Sequence, residues 1–143
     1  MQAMRDGRGG VVDLVLPHAP MDLVSYSAWD AQDDPAALRA ALDFIARHAP
    51  ARPPFGARNV YIGEFGRPEN DATADRVRST IRNVTAVARQ WGCPYAVYWQ
   101  VYCNEGRRQP VRTNADCRGF WLVRPDGTRG PAWACMQELL RGG

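Results

Sequence analysis

A chain of 143 residues and 15.9 kDa has the length of one ordinary domain, enough to bury a single core. Hydrophobic residues at 45% and charged residues at 23% are globular values and argue against disorder. The net charge of +3 is mild and its 18 basic residues, all arginine, are scattered without a run or stripe. Nucleic acid is therefore not an indicated partner, and the arginine bias points instead to a GC-rich, bacterial coding sequence.

No stretch approaches the roughly 18 to 20 apolar residues of a membrane span, so no membrane partner is expected. The opening "MQAMRDGRGG" has charge and glycine but no apolar signal-peptide core after it; no export signal is expected within this chain, and the compartment is left open. Residues 1–20 read as a lead-in to a single domain covering 1–143. Within it, "VVDLVLPHAP" (11–20) lies too close to the next apolar run for a parallel crossover; it is either a helix end leading into the first strand, the preferred reading, or a segment that pairs elsewhere.

The first strand is expected in "DLVSYS" (22–27). A helix should follow, with Asp34 as its cap, Pro35 at its first position and Leu38, Leu42 and Ile45 as its apolar stripe. Pro50, Pro53 and Pro54 end it. "NVYIGE" is the second strand, with period-two alternation placing Val60, Ile62 and Glu64 on one face and Tyr61 and Phe65 on the other. The next helix has Asp71 or Thr73 to cap it, Gly92 to stop it, and Val77, Ile81, Val84, Ala88 and Trp91 to bury.

"YAVYWQVY" (95–102) is nearly continuous in apolar residues, as suits a strand covered on both faces. A polar, arginine-rich loop follows, then "FWLVRPDGTRGP" with a Pro-Asp-Gly turn, and a last helix beginning at Pro131. This β-α-β-α-β-loop-α order implies an α/β fold with parallel strands. The spacings of Cys93, Cys103, Cys117 and Cys135 match no zinc pattern, so no metal is expected. Cys103 and Cys117 flank the loop and are the candidate disulfide, a pairing the sequence leaves open; Cys93 and Cys135 look like core thiols.

In a parallel α/β sheet, functional groups gather beyond the C-terminal ends of the strands. Those ends carry Ser25, Ser27, Trp29 and Asp30, then Glu64, then Trp99 and Gln100, with Asn104 and Glu105 just beyond. Carboxylates, indoles and amides together suit a sugar, whose C–H faces stack on indole while its hydroxyls bond to amides and carboxylates.

"DLVSYSAWD", "VYIGEFGRPEN", "WGCPYAVYWQVYCNE" and "GFWLVRPDGTRGPAW", in this order, resemble the C-terminal part of cellulase-like glycoside hydrolases. These are (β/α)8-barrel enzymes with a glutamate nucleophile ending strand seven. The resemblance implies that residues 21–143 correspond to strands six to eight, half of a TIM-type barrel. It makes Glu64 the nucleophile and Trp99 the platform under the sugar. Ser27 then stands where relatives carry a histidine, and Trp29 where they carry a tyrosine that contacts the nucleophile. Tyr26, Gln100 and Asn104 join them as expected contacts to a β-linked glycan.

The resemblance implies no cofactor, since carboxylates alone perform this chemistry. It also implies that relatives are secreted. A complete barrel has eight βα units and about 250 residues, and the family's acid/base glutamate belongs to strand four. Glu105 is the only other carboxylate offered for that role here; its rival reading is a loop carboxylate that orders arginines such as Arg107. Three parallel strands cannot close a barrel; self-association as a homodimer or larger oligomer is the favoured way to complete or cover the sheet, the alternatives being an open sheet with residues 11–20 covering an edge and a truncated product of marginal stability. The alternative function is a non-catalytic carbohydrate-binding or structural half-barrel.

Overall fold

In the computed structural model, which describes residues 6–142, a three-stranded parallel sheet carries a layer of helices. The expectation about an export signal in residues 1–5 lies outside the described residues. The elements are α1 (Val11–Leu14), β1 (Val24–Ser27), α2 (Pro35–His48), β2 (Val60–Phe65), α3 (Ala74–Trp91), β3 (Ala96–Tyr98) and α4 (Pro131–Arg141). The strand order is β1-β2-β3, with both pairs parallel. A 3-10 turn, Leu16–His18, leads from α1 towards β1, so the stretch 11–18 is helical as its pattern suggested.

The helices form where their local chemistry dictates. The Asp34 side chain accepts hydrogen bonds from the amides of Ala36 and Ala37, satisfying two donors that the first turn of α2 cannot pair, and Pro35 fits the first turn because its missing N–H costs nothing there. Thr73, not Asp71, caps α3 through the amide of Arg76, and Gly92 ends it in a left-handed conformation at φ 90°. The stripes Leu38, Leu42 and Ile45 of α2 and Val77, Ile81, Val84, Ala88 and Trp91 of α3 are buried against Val60, Ile62 and Phe65. Successive helices touch in chain order, α1 on α2, α2 on α3 and α3 on α4.

Two expectations are corrected. Val60 and Ile62 do not share a face with Glu64: they point with Phe65 into the core under the helices, whereas Glu64 is half-exposed on the other side. The register explains this. Tyr26 pairs with Ile62 but Ser27 pairs with Glu64, so Gly63 is an extra residue and the bulge inverts the alternation beyond it. Tyr61 faces away from the helices, edge-on to Tyr95 with ring centroids 6.0 Å apart, while Phe65 lies with Val60 and Ile62 and not with Tyr61. The third strand is also shorter than its apolar run. Only Ala96–Tyr98 pairs, and Tyr95, Val97, Val101 and Tyr102 are exposed, so the run is covered on one face at most.

Candidate functional site

The C-terminal ends of the three strands surround a cleft of about 420 Å³ lined by Trp29, Glu64, Trp99, Glu105, Arg118 and Phe120. A larger open groove of about 770 Å³ lies elsewhere, between α3 and α4, and carries no carboxylate. The strand-end cleft is the one in which reactive groups converge.

Backbone contacts fix its framework. The Ala28 amide donates to the Glu64 carbonyl at 2.8 Å, joining the end of β1 to the end of β2, and the Trp99 amide donates to the Phe65 carbonyl at 2.8 Å, joining β2 to the residue after β3. Gly66 permits this second approach: a Cβ there would sit 2.4 Å from the Trp99 carbonyl oxygen. Its amide donates to the side chain of buried Gln32 at 3.0 Å. The peptide between Trp99 and Gln100 is cis.

The carboxylates are held by indoles. Trp29 Nε1 donates to Glu64 Oε2 at 2.9 Å, and Trp99 Nε1 donates to Glu105 Oε1 at 2.7 Å. Glu105 Oε2 accepts from Arg118 Nη1, also at 2.9 Å. The Arg118 guanidinium lies over Phe120, 5.2 Å from the ring centroid, and Phe120 meets Trp29 edge-to-face at 5.5 Å. A chain of contacts therefore runs from Glu64 through Trp29, Phe120, Arg118 and Glu105 to Trp99 along the cleft, and the Oε1 of Glu64 has no hydrogen-bond partner among the described residues.

Several expected contacts lie elsewhere. Tyr26 is buried on the helix side of β1 and donates its hydroxyl to Asp30 at 2.6 Å, so it is a core residue and not a wall of the cleft. Ser27 is exposed beside Glu64 in register but does not line the cleft. Gln100 and Asn104 bond to each other outside it. Arg107 pairs with Asp71 at 2.9 Å, leaving Arg118 as the arginine that Glu105 orders. Cys103 and Cys117 are joined, with Cys117 fully buried; the bridge ties together the two ends of the loop that carries Glu105 and delivers Arg118. Cys135 is buried and Cys93 half-buried, and burial pushes the Cys93 thiol up to about 11, which makes it a poor nucleophile.

Arg118 and Phe120 were not singled out from the sequence. Their one signal was position, directly after Cys117 and just before the apolar "WLV" piece. Below the cleft, Glu69 accepts from Trp121 Nε1 and from both Nε and Nη2 of Arg124, anchoring the chain that carries them. Among the described residues no cluster of three or more His, Cys, Asp or Glu side chains is placed to hold a metal, and no helix is long and apolar enough to cross a membrane.

The fold and site define an α/β protein with a strand-end cleft of indoles and carboxylates. Comparison with family models, with curated proteins and with solved structures finds no match for the chain.

Proposed function

We infer that this chain is a C-terminal half of a TIM-type (β/α)8 barrel of the retaining β-glycan hydrolase kind, and that its cleft takes a β-linked glycan with Glu64 as nucleophile. The observation that carries this reading is the Glu64 carboxylate itself: it stands at the end of a central parallel strand, one oxygen held by the Trp29 indole and the other open to a cleft walled by Trp99 and Phe120. An indole N–H fixes the carboxylate in position while leaving a lone pair directed at a bound sugar. Attack by Oε1 on the anomeric carbon would form a glycosyl ester, with departure of the leaving-group oxygen assisted by a proton from a second carboxyl group, and water would then release the sugar.

The second carboxyl group is the point at which a rival reading gains support. Both oxygens of Glu105 accept hydrogen bonds, one from Trp99 and one from Arg118, so Glu105 is presented as an acceptor and not as a proton donor. That favours either an acid/base supplied from outside this chain or a module that binds a glycan without turnover.

Binding and hydrolysis of β-glucan oligosaccharides by the purified chain test both readings. On the enzymatic reading, Glu64→Gln removes turnover and keeps binding, while Trp99→Ala weakens both. Unchanged turnover in Glu64→Gln would remove Glu64 from the role. Binding by the wild-type chain without turnover selects the binding module.

A further inference from the structure

The backbone at Trp99 is pinned, its amide donating to the Phe65 carbonyl at 2.8 Å, but the two side-chain torsions of the indole must be set by something else. The ring carries a single polar handle, the Nε1–H, and the group it meets is the Glu105 carboxylate at 2.7 Å. Glu105 is itself held by Arg118 in two ways. Its Oε2 accepts from Arg118 Nη1 at 2.9 Å, and its backbone carbonyl accepts from the Arg118 amide at 3.3 Å. The Cys103–Cys117 bridge closes the loop that carries Glu105 and ends just before Arg118, so the disulfide keeps the two residues side by side as well.

The line of support ends in the core. The Arg118 guanidinium lies over the ring of buried Phe120, 5.2 Å from its centroid. The Trp29 indole packs edge-on against the same ring at 5.5 Å and donates to Glu64 at 2.9 Å. One buried ring therefore stands behind two walls of the cleft: through Trp29 it locates the Glu64 carboxylate, and through Arg118 and Glu105 it locates the Trp99 indole. The Glu105 side chain is 28% exposed, and both hydrogen bonds to its carboxylate are of the stronger, charge-assisted kind.

We propose that Glu105 is a positioning residue: held by Arg118, it fixes the plane of the Trp99 indole so that this platform is set before a sugar arrives. The inference rests on the glycan reading of the cleft and gives Glu105 and Arg118 a part in it that requires neither proton donation nor nucleophilic attack. The gain is preorganisation. Ordering a loose side chain on binding costs affinity, and an indole already held in place avoids that cost.

The test follows the Trp99 indole first without and then with a ligand. In isotope-labelled protein the five tryptophans give five indole N–H resonances, and Trp99→Phe identifies the one from Trp99. Glu105→Ala is expected to move this resonance and speed its exchange with water, while those of buried Trp91 and Trp121 stay in place and report an intact fold. The same variant should bind cellotetraose about 3- to 10-fold more weakly by calorimetry. Glu105→Gln keeps an oxygen for the indole and should restore both the protected resonance and the affinity. Arg118→Met leaves Glu105 and Trp99 in place and should shift the resonance in the same direction by less; no shift in it overturns the role given to Arg118. A Glu105→Ala chain with the Trp99 resonance and the affinity of wild type overturns the proposal, for that is the behaviour of a carboxyl serving only as an acid. A Glu105→Gln chain no better than Glu105→Ala also overturns it, because the acceptor oxygen is then not what matters. A wild-type chain with no affinity for cellotetraose overturns the glycan reading and the platform role with it. Failure of the positioning alone is distinct, since it leaves wild-type binding intact and the Trp99 resonance unmoved by Glu105→Ala.

Discussion

Substituting Glu69 with glutamine tests whether the chain that delivers Arg118 and Phe120 to the cleft is anchored from below. Glu69 receives hydrogen bonds from buried Trp121 and twice from Arg124, and the side chains of Glu69 and Arg124 are only 16% and 26% exposed. The Glu69 amide also donates to the Gly119 carbonyl at 2.9 Å, next to Arg118 and Phe120. A hydrogen bond to a charged group contributes about 1.5–3 kcal/mol, and breaking a buried pair by removing one partner costs about 3–5 kcal/mol. Arg124 keeps a quarter of its surface and can be rehydrated, while glutamine can still accept from Trp121, so the lower part of this range applies: about 2–3 kcal/mol. With a urea dependence of about 2 kcal/mol per molar, the unfolding midpoint should fall by about 1–1.5 M. Arg124→Met should cost a comparable amount, and the double variant should cost at least ~1 kcal/mol less than the sum, because the two residues act through one interaction. A midpoint shift below about 0.3 M, or additivity within about 0.5 kcal/mol, would refute the anchoring argument.

Three further outcomes follow from the same geometry. Burial works to raise the Asp33 carboxyl, but hydrogen bonds from Arg67 and Thr80 and the charges of Arg67 and Arg76 outweigh it and hold the group below its ordinary value of 3.8. A depressed folded value means that this stabilisation is present above the unfolded value and lost as pH falls through the folded one; the stability difference between wild type and Asp33→Asn, from urea titrations, should be constant near neutrality and shrink below about pH 4. Gly66→Ala forces a methyl against the Trp99 carbonyl and should cost about 1–3 kcal/mol while shifting tryptophan fluorescence, which a Ser79→Ala control on the exposed face of α3 should not do. Removing the Cys103–Cys117 bridge by a double serine substitution opens a loop of sequence separation 14 and should lower stability by about 3 kcal/mol in thermal or urea unfolding.

Helix positions were legible in the sequence because caps and apolar stripes are local. Asp34, Pro35 and Gly92 act within a few residues of themselves, and the stripes of α2 and α3 have one face to bury whatever lies opposite. The orientation of Glu64 was not legible, since period-two alternation holds only in an unbroken ladder and Gly63 inserts one residue relative to β1. The isolated Gly63 inside "VYIGEF" is the one local sign of a bulge, but where the ladder shifts depends on the partner strand. The length of β3 was misjudged for a related reason: an apolar run reports a preference for burial, and Val97, Val101 and Tyr102 stay about half exposed or more in this fold. At the site, Glu64, Trp29, Trp99 and Glu105 meet as their strand-end positions suggested. Arg118 and Phe120 arrive from a loop closed by a disulfide, a contact that no periodicity encodes, and Tyr26 was misplaced because a strand-end tyrosine can point to either face.

The measurement that bears most directly on the function is covalent trapping of the nucleophile. A 2-deoxy-2-fluoro-β-glucoside with a dinitrophenolate leaving group needs no proton from an acid/base, so it reports on Glu64 whether or not a second carboxyl group is in place. Intact mass spectrometry of the wild-type chain should show one added fluoroglycosyl unit, peptide mapping should place it on Glu64, and Glu64→Gln should stay unlabelled. A wild-type chain that gains no mass, or a label carried equally by Glu64→Gln, would contradict the assignment of Glu64 as a glycosidic nucleophile.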